Sequence, residues 1–181
     1  MAIDRATFLE IVRDAYSAYY TILPVEEGQE ELPLAFRAEY RSRDEKYFVI
    51  KSATIWGNEK VEYAYVFSAP SFSPELADRC ADFALQEMLP KVKPHKEHQY
   101  TNCKVILIAD SLDEETVKTV KKKRFSKSYG PLSTHGYTEL LFAAVDVGKG
   151  KSWTNRAGYD LEKFFRKLFA LRTEDTQGNG K

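Results

Sequence analysis

The stretch "CKVILIADSLDEETVKTVKKKR", residues 103–124, decides the fold. Cys103 to Ala109 is a short aliphatic run, the length of a strand and the composition of one buried in a sheet. Ser111 is followed three residues later by Glu114, the spacing of a capping box in which each side chain satisfies an orphan N–H of the first helical turn. A helix is therefore expected from there to about Arg124. The next apolar run, Thr138 to Val147, reads as a second strand. A strand, a helix and a strand in succession form a βαβ rhythm, the pattern that joins parallel strands.

Working outward toward the N-terminus, Ser73 and Pro74 start a helix that reaches about Leu89. The serine caps the helix, and the proline sits in the first turn, where its missing N–H costs nothing. Pro90 and Pro94 stop it. Before it lie three strand-like runs: Phe36 to Arg41, Tyr47 to Trp56 and Val61 to Phe67. The first and third alternate apolar and polar residues. The second is apolar on both parities and so is expected at the centre of a three-stranded antiparallel meander, with Phe36–Arg41 at a sheet edge and "SRDE" and "GNE" as turns. Phe8, Ile11, Val12, Ala15, Tyr16 and Tyr19 recur at helical spacing behind Asp4, predicting a helix over 5–20 whose tyrosines Tyr16, Tyr19 and Tyr20 pack on the sheet.

Toward the C-terminus, "GKGK" is a tight turn into a short return strand at Ser152–Thr154. Leu161, Phe164, Phe165, Leu168 and Phe169 mark a final amphipathic helix. The order α-βββ-α-β-α-ββ-α implies an α+β fold, in which the meander is extended by βαβ-type elements into a mixed sheet with helices on its faces. Residues 1–172 are expected to form a single globular domain and 173–181 a flexible tail.

Composition narrows the function classes. The chain has 181 residues, enough for one domain to bury about 70 % of its unfolded surface. Its 43 % hydrophobic content is too high for a disordered chain, while its longest apolar runs are too short to span a bilayer. Met1-Ala2-Ile3-Asp4 shows no basic region, apolar stretch or cleavage site of a secretory leader, so the expected compartment is the cytoplasm. Cys80 and Cys103 then read as small buried hydrophobes. Net charge is zero, yet residues 91–130 carry ten Lys and Arg against five Asp and Glu, an asymmetry of the kind that marks an anion-binding region.

Two clusters carry candidate chemistry. His95 and His98 precede the Cys103 strand and His135 precedes the Thr138 strand, so parallel strands would bring all three to one edge of the sheet. With Cys103 or Glu97 as a fourth ligand they would suit tetrahedral zinc. H-x-x-H is a short pattern, His135 is distant and Cys103 has an apolar context, so an exposed loop leaving a proline-terminated helix is the favoured reading. The second cluster is the basic run Lys118, Lys121, Lys122, Lys123, Arg124 and Lys127, with Phe125 and Tyr129 available for stacking, which invites nucleic-acid binding. Because Asp113, Glu114 and Glu115 open the same helix, the order of acids first and bases last also fits the helix macrodipole alone. "VDVGKGKS" lacks the glycine a phosphate loop requires before Gly-Lys-Ser. Asp44-Glu45-Lys46 matches the (D/E)-x-K tripeptide of restriction-endonuclease-like nucleases, but it falls in an expected turn. Within the Tyr47–Trp56 run, Val49 stands where an acid would precede Lys51.

"EKYFVIKSATIW", "VKPHKEHQYTN" and "FSKSYGPLSTHGYTELLFAAVDVGKGKSWTNRAG" together resemble an uncharacterised family of small prokaryotic proteins, a domain of unknown function, over most of Phe36 to Phe165. The resemblance implies a prokaryotic cytosolic domain and no particular activity. The reading that follows is a binding or interaction module without catalytic chemistry or a cofactor, its partner open between a second copy of the chain and another protein. It leans on aromatics expected at the surface, Tyr19, Tyr20, Tyr63, Tyr65 and Trp153. The alternative is a metal-dependent nuclease-like or nucleic-acid-binding protein using segment 118–127.

Overall fold

The computed structural model describes residues 3–25, 31–45 and 57–178. Its elements are α1 (Arg5–Ser17), β1 (Thr21–Leu23), β2 (Leu34–Glu45), β3 (Gly57–Ala69), α2 (Pro74–Met88), β4 (His98–Ala109), α3 (Glu114–Lys122), β5 (Ser126–Ser128), β6 (Tyr137–Asp146), β7 (Lys151–Thr154) and α4 (Tyr159–Gly178). Short 3-10 turns occupy Leu89–Lys91, Pro131–Ser133 and Arg156–Gly158. Among the described residues, no helix is long and apolar enough to cross a membrane.

One mixed sheet of seven strands runs β1-β2-β3-β4-β6-β5, with β7 also paired to β6. β3, β4 and β6 are parallel, and every other pairing is antiparallel. The sheet therefore has the expected α+β, mixed architecture. The three central strands are covered on both sides, as the unbroken apolar runs of β4 and β6 require. On one face Tyr65, Phe67, Val105, Leu107, Leu140 and Phe142 pack with the buried sides of α2 and α3. On the other, Val66, Ile106, Ile108, Ala143 and Val145 meet Phe8 and Val12 of α1 and Leu161 and Phe165 of α4. Full burial of such side chains contributes about 1.5–3 kcal/mol each, so both layers of helices are held chiefly by their apolar stripes.

The helix starts follow the local chemistry. Asp4 accepts from the Thr7 N–H at 2.8 Å, and Ser73 Oγ accepts from the Leu76 N–H at 3.1 Å. α3 departs from expectation: its cap is Asp113, which accepts from the Thr116 N–H at 2.7 Å, and not Ser111. Aspartate is as good a cap as serine, and here it lies two residues nearer the helix.

The meander is present but built from other segments. β2 lies in its middle, paired to β1 on one side and to β3 on the other from Leu34↔Phe67 to Glu45↔Gly57. The Tyr47–Trp56 run, expected to be the central strand, lies outside the described residues. β2 and β3 pair with each other directly, so no strand stands between them. The "SRDE" and "GNE" stretches, read as turns, are strand ends, and the edge expected at Phe36–Arg41 is covered by β1. β4 begins at His98, five residues before Cys103. β5 adds a strand that the sequence reading lacked.

The tyrosines also divide. Tyr16 is buried against the sheet, but Tyr19 is 79 % exposed. Tyr20 donates to Glu62, which also receives Lys104 Nζ at 2.6 Å, clasping the end of α1 to β3 and β4. Tyr63 and Tyr65, counted above as surface aromatics, point into the core, because odd positions of β3 face α2.

Candidate functional site

The outer edge of β6 is occupied at both ends and interrupted between. β5 pairs with Tyr137–Glu139 and β7 with Ala143–Asp146. In the gap, the side chain of Asn155 takes the place of a strand backbone. Its Nδ2 donates to Leu140 O at 2.8 Å and its Oδ1 accepts from the Phe142 N–H at 3.0 Å. The same amide donates to Lys123 O at 3.1 Å, at the end of α3, and accepts from the Gly158 N–H at 3.0 Å. Asn155 is thus buried with its bonding capacity filled. The close approach also demands glycine at 158, where a Cβ would lie 2.9 Å from Thr154 Cβ and 3.1 Å from Asn155 Oδ1. This arrangement holds the 3-10 turn Arg156–Gly158 against the end of α3.

Arg156 and Arg124 consequently line the same concavity, part of a groove between α3 and the β7–α4 segment. Three clefts follow one another. The first, about 360 Å³, has Leu112, Val117 and Trp153 in its wall and Lys118, Lys121 and Lys149 among its polar groups. The second, about 440 Å³, includes Lys121, Arg124, Arg156 and Tyr159. The third, about 330 Å³, includes Arg124, Phe125, Leu140 and Arg156. Lys121 is common to the first and second clefts, and Arg124 and Arg156 to the second and third.

Ion pairing sorts the basic groups. Lys118 pairs with Glu115 at 2.8 Å. Lys149 reaches the wholly buried carboxylate of Asp146 at 3.2 Å, which also accepts from the Leu112 and Lys149 N–H groups and so ties the rim of the first cleft together. Lys121, Arg124 and Arg156 have no carboxylate partner among the described residues; Arg124 donates only to Lys121 O, at 3.2 Å. Acids do border the clefts: Asp113 and Glu114 in the first, Glu162 in the second and Glu139 in the third. Asp113 is engaged as the α3 cap, and its bonds from Thr116 hold its pKa below the usual carboxylate value.

The basic run therefore splits into separate roles. Lys121 and Arg124 line the groove. Lys123 turns to α2 and pairs with Asp82 at 2.8 Å and Asp78 at 3.1 Å. Burial would lower its pKa, but those carboxylates outweigh burial and raise it. Lys122 is exposed outside the three clefts, and Lys127, on β5, sits over the Tyr129 ring at 5.3 Å.

The histidines gather at the N-terminal ends of β4 and β6. The rings of His95 and His98 lie 6.1 Å apart, and His98 Nδ1 is 2.7 Å from the main-chain oxygen of His135. A carbonyl only accepts, so Nδ1 of His98 carries the hydrogen; Nε2 lies 2.9 Å from Thr101 Oγ1. His95 Nδ1 accepts from the Glu97 N–H at 3.2 Å, leaving Nε2–H to donate to Glu59 at 2.7 Å. His98 is buried at the start of β4, not in an exposed loop. Cys103 points into the core beneath α2, where burial and the charge of Glu87 push its thiol pKa well above normal. No group of three or more metal-ligating side chains is arranged to hold an ion among the described residues. The histidines instead fasten the loop before β6. Gly136, at φ +79°, is part of that fit, because a Cβ there would come within 2.5 Å of His98 Nδ1.

Arg156, Tyr159 and Asn155 were not singled out from the sequence. Arg156 lies 32 positions after Arg124, and the Asn155 bridge, with the pairing of β7 on β6, brings them together. A family model described as "Domain of unknown function (DUF8052)" matches residues 4–167. No curated protein and no solved structure matches the chain.

Proposed function

The chain belongs to the DUF8052 family, a domain of unknown function, and we propose that it is a binding module that receives an anionic partner along the α3 groove. One observation carries the reading: Lys121, Arg124 and Arg156 converge on connected clefts without a carboxylate partner among the described residues. Two neighbouring lysines of the same segment close ion pairs instead, Lys118 with Glu115 at 2.8 Å and Lys123 with Asp82 at 2.8 Å. Cationic groups left open beside a concavity with apolar walls are complementary to an anion that brings its own charge. Two of the three are arginines, whose planar guanidinium matches phosphate or carboxylate oxygens in pairs. The groove supplies charge and contact area, so its chemistry is that of holding a ligand.

Inorganic polyphosphate is a suitable probe. Binding is expected at low salt and should weaken steeply as salt rises. The triple variant Lys121→Gln, Arg124→Gln, Arg156→Gln should lower affinity at least tenfold, whereas Lys123→Gln should leave it unchanged. Equal binding by the wild type and the triple variant would overturn the reading.

A further inference from the structure

We propose that the anionic partner is single-stranded nucleic acid, with one base entering each of the three clefts and the phosphates between them lying on Lys121, Arg124 and Arg156. This rests on the anion-binding reading and adds the identity of the ligand.

The groove has two kinds of position, and they alternate. Each cleft interior holds one aromatic side chain: Trp153 in the first, Tyr159 in the second and Phe125 in the third. Each also has a carboxylate not engaged as a helix cap, from Glu114, Glu162 and Glu139 respectively, the first cleft holding the cap Asp113 besides. The partnerless cations stand where clefts meet: Lys121 at the first boundary, Arg124 and Arg156 at the second. Stacking surfaces separated by cations are the requirement of a single strand, whose bases present open faces between successive phosphates. A duplex stacks its bases inward and leaves the aromatics nothing to cover.

The aromatics are suited to the task. Trp153 and Phe125 are backed by the core beneath α2 and α3, so a base stacking on them meets a ring that is already immobilised. Tyr159 is 57 % exposed, and its ring carries the Lys163 ammonium at 4.3 Å. The carboxylates, which would repel a structureless polyanion, become useful beside a base, because they accept from exocyclic amino groups such as cytosine N4 or adenine N6. They also distinguish this ligand from an acidic peptide, which would set carboxylates against Glu114, Glu162 and Glu139 and offer no flat faces in return. Each cleft lies at the lower end of the size range of ligand pockets, appropriate to one nucleoside.

The test compares labelled single-stranded DNA and RNA oligonucleotides with a duplex of equal length, inorganic polyphosphate and a poly-glutamate peptide. A Trp56→Phe background leaves Trp153 as the only tryptophan reporter. Single strands are expected to bind at least tenfold more tightly than polyphosphate or duplex, to quench Trp153 fluorescence, and to lose affinity with a log–log salt slope of about −2, from roughly −0.7 per phosphate over three contacts. Tyr159→Leu should weaken the oligonucleotide at least fivefold, and by several times more than it weakens polyphosphate, which has no base to stack; being exposed, this position reports on stacking without threatening the fold. Polyphosphate binding that requires Lys121, Arg124 and Arg156, with oligonucleotides no tighter and Trp153 unquenched, would overturn the nucleic-acid assignment while leaving the anion reading intact. Tighter binding of poly-glutamate than of any oligonucleotide would also overturn it. If none of these polyanions binds, both proposals fall.

Discussion

The histidine corner and the α3 groove are both polar regions at margins of the same sheet, and they differ in where their bonding groups are satisfied. In the corner, His98 spends both ring nitrogens on Thr101 and the His135 carbonyl, and His95 spends both of its own on Glu59 and Glu97. In the groove, Asn155 and Asp146 are satisfied internally, while Lys121, Arg124 and Arg156 are not matched by carboxylates among the described residues. Residue type alone would have ranked the corner first, since histidine, cysteine and glutamate are the usual carriers of chemistry. The accounting of partners reverses that order. Side chains whose bonds close within the chain are explained by stability, and those whose charge remains open are explained by something the chain binds.

The comparison can be broken at several strengths. The largest effect is expected from Asn155→Ala, which strands the Phe142 N–H and the Leu140 and Lys123 carbonyls, while the Gly158 N–H keeps its bond to the main-chain oxygen of residue 155. At about 1–3 kcal/mol for each of the three buried groups left without a partner, partly relieved by water at the rim, the loss should be on the order of 3 kcal/mol by denaturant unfolding. A loss under 1 kcal/mol would show that the bridge is dispensable. Next, His98→Ala should cost about 2–3 kcal/mol, through a cavity and the stranded His135 carbonyl, with polyphosphate affinity unchanged. A stoichiometric zinc ion that elemental analysis finds in the wild type and not in this variant would move the corner from structure to function.

A smaller effect concerns acid. Burial alone would raise the pKa of Glu59, but its bonds from His95 and Arg41 prevail and lower it below the ordinary value of 4.5. A carboxylate depressed in the folded state contributes stability above its unfolded pKa and loses it as pH falls through the folded value. Stability should therefore decline below about pH 4.5, and Glu59→Gln should flatten that part of the profile. An identical profile in the variant would contradict the assignment. Smallest of all, the triple variant of Lys121, Arg124 and Arg156 should change stability by no more than about 0.5 kcal/mol, since no ion pair is lost. A marked loss of stability would mean that these cations are structural after all.

Much of the fold is legible because its signals are long. The run from Val105 to Ala109 and the Ser73-Pro74 start give the parallel strands and α2 directly, and the stripe around Phe165 gives α4. β1 and β5, at three residues each, are too short to show a period. His98 and Thr101 look like loop residues because they are polar, yet they are buried in β4 with their bonds satisfied by one another. Half of the groove could be read as charge at Lys121 and Arg124. The other half depends on a bridge between the end of α3 and the turn after β7, and no local pattern encodes a contact between residues that distant.

The interrupted edge of β6 has a consequence for assembly. A long open strand edge is a template on which other chains can add, and proteins that survive at high concentration usually shorten or disguise it. Here the terminal ladder is divided into β5, one amide side chain and β7. Along this margin an incoming strand would find no more than three consecutive positions on β5 or four on β7 before its register failed. Asn155 thereby withholds from neighbouring molecules the continuous ladder from which fibrous aggregates grow.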